Sequence, residues 1–261
     1  MRCVLFQAQA PLAPQIAVLV IVALAFTSET ALGFGATIIT VALGSFFMPL
    51  NDLLPAFVPL NVGLSVVLVA RTHSFASFRT LGLHVLPWML LGLPLGIIGA
   101  RRLPEEHLKL VFGVFVVMLA AIELTKKPPA PVDRPTYTII DRALLGLGGI
   151  VHGAFATGGP MVVFVLGRTI GQQKAVFRAT LSVLWLVLNT ILLVTFIVEG
   201  RISGGSTRTT LFFAGSLAVG FGMGELLFRR VSGERFRSLV FAMLGAAGAL
   251  MIVTTLRALV R

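Results

Sequence analysis

Two glycine-rich motifs at matching places in two apolar stretches are the part of this sequence best suited to chemistry. Residues 33–37 read Gly-Phe-Gly-Ala-Thr, and 120 residues later residues 153–157 read Gly-Ala-Phe-Ala-Thr, followed by Gly-Gly-Pro at 158–160. Glycine destabilises a helix and proline fits the first turn of a new one, so each motif predicts a break between two half-helices. The free N–H groups at the start of a half-helix, together with the positive end of its dipole, favour an anion.

Side chains close to the motifs extend this anion-binding prediction. Thr37 and Thr157 add hydroxyl donors at equivalent positions, and Arg178 offers a planar guanidinium for an oxyanion, with an interface anchor as its alternative role. For the glycines, the alternative is that they let helices pack closely. The predicted substrate-binding residues are Gly35, Thr37, Asn61, Thr157, Gly158, Gly159 and Arg178.

Glu29 and His152 are ionisable residues inside apolar stretches, near the first and second motif respectively. An ionisable side chain at membrane depth is a functional hypothesis by default, and here we predict proton coupling. The alternative is that either residue caps a half-helix. The two are not equivalents in the repeat, because Glu29 aligns with Gly149.

The sequence lacks the patterns typical of enzymes and of metal or cofactor sites. The apolar stretches contain no carboxylate pair, no histidine cluster with ligand spacing, no Ser, His and Asp set, and no Gly-x-x-x-x-Gly-Lys sequence. The single cysteine, Cys3, excludes a disulfide framework. We therefore predict a protein that is not an enzyme and has no cofactor or metal.

The composition indicates what must position the two motifs. Apolar residues make up 57% of the 261 residues and charged residues 12%, which predicts an all-α polytopic membrane protein. The net charge of +11 is interpreted as lipid-headgroup contact and helix orientation, and nucleic acid is not an expected partner.

Charged or proline-rich breaks predict about eight transmembrane segments. The stretch containing the first motif is about twice as long as one crossing needs, so it must fold back, break or tilt. The predicted segments are Gln15 to Leu50, Leu54 to Ala70, Leu81 to Ala100, Leu108 to Leu124, Ala143 to Gly167, Ala179 to Val198, Thr209 to Phe228 and Ser238 to Leu256.

The segments form two homologous four-segment repeats with broken helices. Besides the two motifs, Gly92 and Gly96 match Gly220 and Gly224 at an offset of 128, and these four glycines are interpreted as helix-packing residues. The expected organisation is an N-terminal tail (1–14), a first repeat (15–124), a hydrophilic linker (125–142) and a second repeat (143–261). Parallel and inverted repeats remain open, although the Lys and Arg counts of the loops favour inversion.

These motifs resemble those of the TauE/SafE sulfite exporter family of bacterial inner-membrane permeases. The most specific part is residues 153–160 together with Phe-Arg-Ala-Thr at 177–180, supported by Gly-x-x-x-Gly before Arg101 and Arg102. The first motif departs from the family's run of glycines followed by proline. The resemblance implies two four-segment bundles that move sulfite or organosulfonates, in a multi-pass protein of the bacterial inner membrane.

The functional prediction is a secondary transporter for a small anion, most simply sulfite or an organosulfonate, which works by alternating access. Its partners are the substrate and the lipid bilayer, and its oligomeric state is left open. The alternatives are a membrane assembly or partner protein that transports nothing and a passive anion channel.

Overall fold

The computed structural model describes residues 12–125, 137–170, 173–230 and 233–259, and all regular structure within these ranges is helical. The all-α prediction is therefore confirmed. Most of the predicted N-terminal tail and most of the predicted linker lie outside the described residues. The α-helices are α1 (Leu12–Leu32), α2 (Ala36–Gly44), α3 (Leu50–Thr72), α4 (Phe78–Thr80), α5 (Leu86–Arg102), α6 (Glu105–Thr125), α7 (Ile139–Phe155), α8 (Gly159–Thr169), α9 (Lys174–Val198), α10 (Gly204–Arg230) and α11 (Gly233–Leu259).

Within the described ranges, six helical stretches are long and apolar enough to cross a membrane. A π-helical turn joins α4 to α5, so that this pair makes one continuous stretch. The membrane prediction fits these lengths, because a crossing helix needs about 20 apolar residues. The count of eight segments stays a prediction. The six stretches are Leu12–Leu32, Leu50–Phe75, Phe78–Arg102, Lys174–Val198, Gly204–Arg230 and Phe241–Leu259.

Helix α7 begins inside the predicted linker, four residues before the predicted segment. Thr138 and Asp141 form a capping box, in which the Thr138 side chain accepts from the Asp141 N–H and the Asp141 carboxylate accepts from the Thr138 N–H. Two backbone donors that would otherwise lack partners are thus satisfied, which starts the helix early.

The chain divides into two compact units, and each takes helices from both halves of the sequence. The first unit contains the described residues up to Leu60, those from Leu103 to Thr125 and those from Thr195 onward. The second contains Asn61–Arg102 and the described residues from Tyr137 to Val194. The compact units are defined by packing in space, whereas the repeats are defined by similarity along the sequence. The units therefore do not test the repeat boundaries, which stay a prediction.

In the first unit, α1 packs on α10, α6 packs on α11, and α2 contacts α1, α6 and α11. Gly220 and Gly224 lie where α10 meets α1, because an added Cβ at Gly220 would come within 2.6 Å of the Ala23 carbonyl oxygen. Phe26 of α1 also stacks on Phe57 of α3, with 4.9 Å between ring centroids. The packing role predicted for this glycine pair is confirmed.

In the second unit, α5 and α7 touch through their backbones. A Cβ on Gly92 would fall on the Gly146 carbonyl oxygen, and one on Gly96 would fall on that of Ile150. Gly153 is equally constrained, because its Cβ would meet the Leu93 carbonyl oxygen. Gly92 and Gly96 therefore have the predicted packing role, and the first glycine of the second motif serves packing as well.

Candidate functional site: two helix breaks with different chemistry

The second break is a three-residue turn between α7 and α8. Ala156 adopts the left-handed conformation with φ 55°, and its N–H donates to the His152 carbonyl oxygen at 2.7 Å, which ends α7. Thr157 and Gly158 follow, and α8 begins at Gly159. The sequence prediction of a break at this motif agrees with the structure.

Helix α8 folds back along α7, so the two form a helical hairpin. Near the turn, a Cβ on Gly148 would lie 3.3 Å from the Met161 Cβ. At the open end, the Arg168 guanidinium makes an ion pair with Asp141, which is also the capping residue of α7. These contacts, one near the turn and one at the open end, show that α7 and α8 are antiparallel. The segment therefore reverses direction within the second unit.

The start of α8 presents backbone donors to the turn. Gly158 is the N-cap residue and, as a glycine, has no side chain that could cap the helix, and among the described residues no other side chain accepts from the first N–H groups of α8. Pro160 in the first turn has no N–H, which leaves those of Gly159 and Met161 as the donors closest to the turn. Thr157 is buried beside them. This arrangement can bind an oxyanion by backbone hydrogen bonds and by the helix dipole.

The first break depends on two glycines with positive φ. Gly33 has φ 85° and Gly35 has φ 110°. Phe34, which lies between them, is buried, and α2 begins at Ala36. These φ angles are readily adopted only by glycine, so this motif shapes the turn through backbone freedom. The motif is a break, as predicted, but it lacks the proline that starts α8.

Glu29 supplies the cap that α2 would otherwise lack. Its Oε2 accepts a hydrogen bond from the Ala36 N–H at 3.2 Å, and the residue is only 4% exposed. Ser28 reinforces the turn, because its hydroxyl donates to the Phe34 carbonyl oxygen at 3.3 Å. The capping role that the sequence left open for Glu29 is confirmed, while proton coupling stays a prediction. Thr37 lies in the first turn of α2 and is buried.

The remaining predicted residues are buried on other helices. Asn61 lies within α3, and Arg178 is the fifth residue of α9, with its carbonyl oxygen accepting from the Ser182 hydroxyl at 2.9 Å. Arg178 is 7% exposed, whereas the arginines predicted to be interface anchors are exposed. The exposed arginines are Arg101, Arg102, Arg229 and Arg230.

His152 lies beside Trp185 and Asn189, and the sequence did not predict these contacts. Its ring stacks on the indole of Trp185 in α9, with centroids 5.7 Å apart and planes 8° from parallel. The Asn189 side chain adjoins the imidazole and lies one turn beyond Trp185. The spacing of four between Trp185 and Asn189 was visible in the sequence, but nothing there indicated which helix their face would meet.

Apolar helices of membrane-crossing length within the described ranges define a polytopic membrane protein. The model of the sulfite exporter TauE/SafE family matches residues 18–251, which is most of the chain. The chain therefore belongs to the sulfite exporter TauE/SafE family. Searches of curated proteins and of solved structures gave no match.

Proposed function

We propose that this protein is a secondary transporter that moves sulfite or an organosulfonate across the bacterial inner membrane by alternating access. In this proposal the anion binds at the N-terminus of α8, in the second break. The observation that supports it most directly is the difference in capping: a carboxylate caps α2, whereas no side chain among the described residues caps α8.

Electrostatics favours the second break as the principal site. A negative charge at a helix N-terminus is stabilised by about 0.3 to 1 kcal/mol when exposed and by up to about 2 kcal/mol when partly buried. In the first break the Glu29 carboxylate already occupies this position. A second negative charge about 4 Å away would be repelled by about 4 kcal/mol at an effective dielectric constant near 20.

Each predicted residue then has a role in the proposal. Thr157, Gly158 and Gly159 supply the turn and its donors, and Arg178, which is buried at the start of α9, contributes positive charge to the second unit. Asn61 is a further polar group of that unit. Gly35 and Thr37 belong to a break that holds its own carboxylate, so we assign them a secondary role.

Glu29 and His152 are the candidates for proton coupling. Protonation of Glu29 would remove the negative charge that caps α2 and would weaken its hydrogen bond with the Ala36 N–H, because hydrogen bonds to ionised acceptors are the stronger ones. A proton taken up there would change the charge of the first break, which is what coupling requires. For His152, which is buried in the second unit, proton coupling is likewise a proposal.

Flux measured in reconstituted vesicles tests the proposal. We expect sulfite flux above that of protein-free vesicles, driven uphill by an imposed proton gradient, and a severe loss of flux in Gly159→Leu, whose side chain would cover the first turn of α8. Gly167→Leu is the matched control, because Gly167 lies on the same helix and has open space around its Cβ position.

Three outcomes would count against this proposal. Absence of flux for both sulfite and propane-1-sulfonate would refute transport of this substrate class. Flux that no proton gradient can drive uphill would indicate a passive channel. Full flux in a correctly folded Gly159→Leu protein, judged by a single symmetric peak in size exclusion, would move the site away from α8.

A further inference from the structure

The cluster of His152, Trp185 and Asn189 in the second unit holds buried polar atoms that the fold leaves without partners. His152 and Asn189 are each 1% exposed. Within the described residues, three atoms of the cluster make no hydrogen bond: the two ring nitrogens of His152 and the Oδ1 of Asn189. Buried polar groups in native proteins are nearly always paired, so such a concentration calls for an explanation.

The cluster lies on the side of α7 on which α8 begins. Gly148 and His152 are one turn apart on one face of α7, and an added Cβ on Gly148 would lie 3.5 Å from the Gly158 carbonyl oxygen. The helix ends three residues after His152, at Phe155, and the His152 carbonyl oxygen accepts from the N–H of the C-cap residue Ala156. The imidazole therefore belongs to the same end of the hairpin as the uncapped N-terminus of α8.

Packing fixes the imidazole without satisfying its nitrogens. Trp185 covers one face of the ring in a nearly parallel stack, and Trp185 is itself buried. The stack holds the ring plane, and both nitrogens, which lie at the ring edge, are buried without a hydrogen-bond partner among the described residues. Asn189 places a carbonyl oxygen on the same face of α9 as the indole.

The donor and acceptor count of the cluster indicates the kind of ligand that fits. A neutral imidazole has one donor and one acceptor in either tautomer, and the Asn189 amide adds a second acceptor and two N–H donors. A ligand that can only accept would pair with these donors but leave both acceptors desolvated. A ligand with its own O–H or N–H group would satisfy the acceptors too.

We infer that His152 and Asn189 are specificity-determining residues that select anions carrying their own hydrogen-bond donor, such as a hydroxyl or amino group beside the sulfonate. This inference rests on the proposed function, in which the oxyanion itself binds at the start of α8. Hydrogensulfite, which carries an acidic hydrogen, belongs to the same ligand class.

A matched pair of sulfonates tests the inference. 2-Hydroxyethanesulfonate and propane-1-sulfonate differ by a hydroxyl in place of a methyl group, and we expect the first to bind at least about tenfold more tightly. The readout is tryptophan fluorescence in a Trp88→Phe background, in which Trp185 is the only tryptophan of the chain. Flux of both compounds in vesicles gives a second measure of the same ratio.

Variants locate the selectivity. His152→Phe keeps an aromatic ring against Trp185 but removes both nitrogens, and Asn189→Leu removes the amide. In either variant we expect the affinity ratio to fall to about one, mainly through weaker binding of the hydroxyl compound. His84→Phe is the control, because His84 stacks on Tyr137 in the same unit at 4.3 Å and has no part in the proposed site.

Equal binding of the two sulfonates by the unmodified protein would overturn the inference whatever the variants do, and so would a ratio that persists in folded His152→Phe and Asn189→Leu proteins. These results differ from a failure of the proposed function, in which neither sulfonate nor sulfite would bind or move. If His152→Phe does not fold, His152→Gln replaces it, since an amide provides a donor and an acceptor and should preserve a ratio above one.

Discussion

The two helix breaks are similar in sequence and opposite in electrostatics. In the first, the chain supplies its own anion, because the Glu29 carboxylate accepts from the Ala36 N–H at the start of α2. In the second, Gly158 and Pro160 start α8 without a cap from any side chain that the structure describes. The comparison teaches that the N–H groups at the start of a half-helix can bind a side chain of the protein, which stabilises the fold, or can stay available for a ligand. The presence or absence of one acidic residue makes the difference.

Placing an acid in the second break would make it resemble the first and should have the largest effect. We expect Thr157→Asp to lower sulfite flux at least about a hundredfold, because a carboxylate about 4 Å from the bound anion costs about 4 kcal/mol at an effective dielectric constant near 20. Thr157→Asn has nearly the same shape without the charge, and we expect its flux to stay within about threefold of the original. Equal flux in the two variants would show that charge at this turn does not control binding.

The ion pair at the base of the second hairpin should have the next largest effect. Arg168→Leu would leave Asp141 without its ion-pair partner. Because Arg168 is partly exposed, we expect the free energy of unfolding to fall by about 2 to 3 kcal/mol, at or below the range for fully buried pairs. Titration with SDS in mixed micelles measures this loss.

A double-mutant cycle with Asp141→Asn separates the pair from the cap. Asparagine can still accept from the Thr138 N–H, so the capping box is largely retained. The combined variant should lose less than the sum of the two single variants, by roughly 0.5 to 3 kcal/mol. Strict additivity would mean that the ion pair does not fasten the hairpin.

Removing the charge from the first break should have the smallest effect. Glu29→Gln keeps a carbonyl oxygen for the Ala36 N–H but weakens the cap, so we expect about 1 kcal/mol less stability. It should also make the first break more attractive to an anion, which would appear as tighter sulfite binding. Ser28→Ala is the control, because Ser28 supports the same turn through a neutral hydrogen bond. Unchanged sulfite affinity in Glu29→Gln would show that the first break does not bind anions in either form.

Several parts of this molecule followed from residue types alone. Gly158, Gly159 and Pro160 predicted a helix start, since proline and glycine have few alternatives inside an apolar stretch. The spacing of Gly92 and Gly96 predicted a close helix contact, and the Gly146 and Ile150 carbonyl oxygens lie where an added Cβ would go. Such properties are local, so no knowledge of the partner helix was needed.

Other parts could not be predicted, because they depend on which elements meet. Glu29 was open to a role as a proton site or as a cap until the φ angles of Gly33 and Gly35 brought the Ala36 N–H to its carboxylate. Asp141 and Arg168 lie 27 residues apart, and their pairing required α8 to fold back. Trp185 carried no signal for the face of α7 that it covers.

The sequence by itself determined that this chain is an all-α membrane protein of the sulfite exporter TauE/SafE family with a helix break in each half. Composition, length and glycine or proline placement act within a few residues, so they determine where helices exist and where they stop. Only the tertiary structure decided that one break is capped by Glu29 and the other is not, and that His152 is buried beside Asn189. Those outcomes depend on packing between residues that are distant in the sequence. A polar group that loses its water on burial costs free energy unless another group binds it, so the identity of each partner matters.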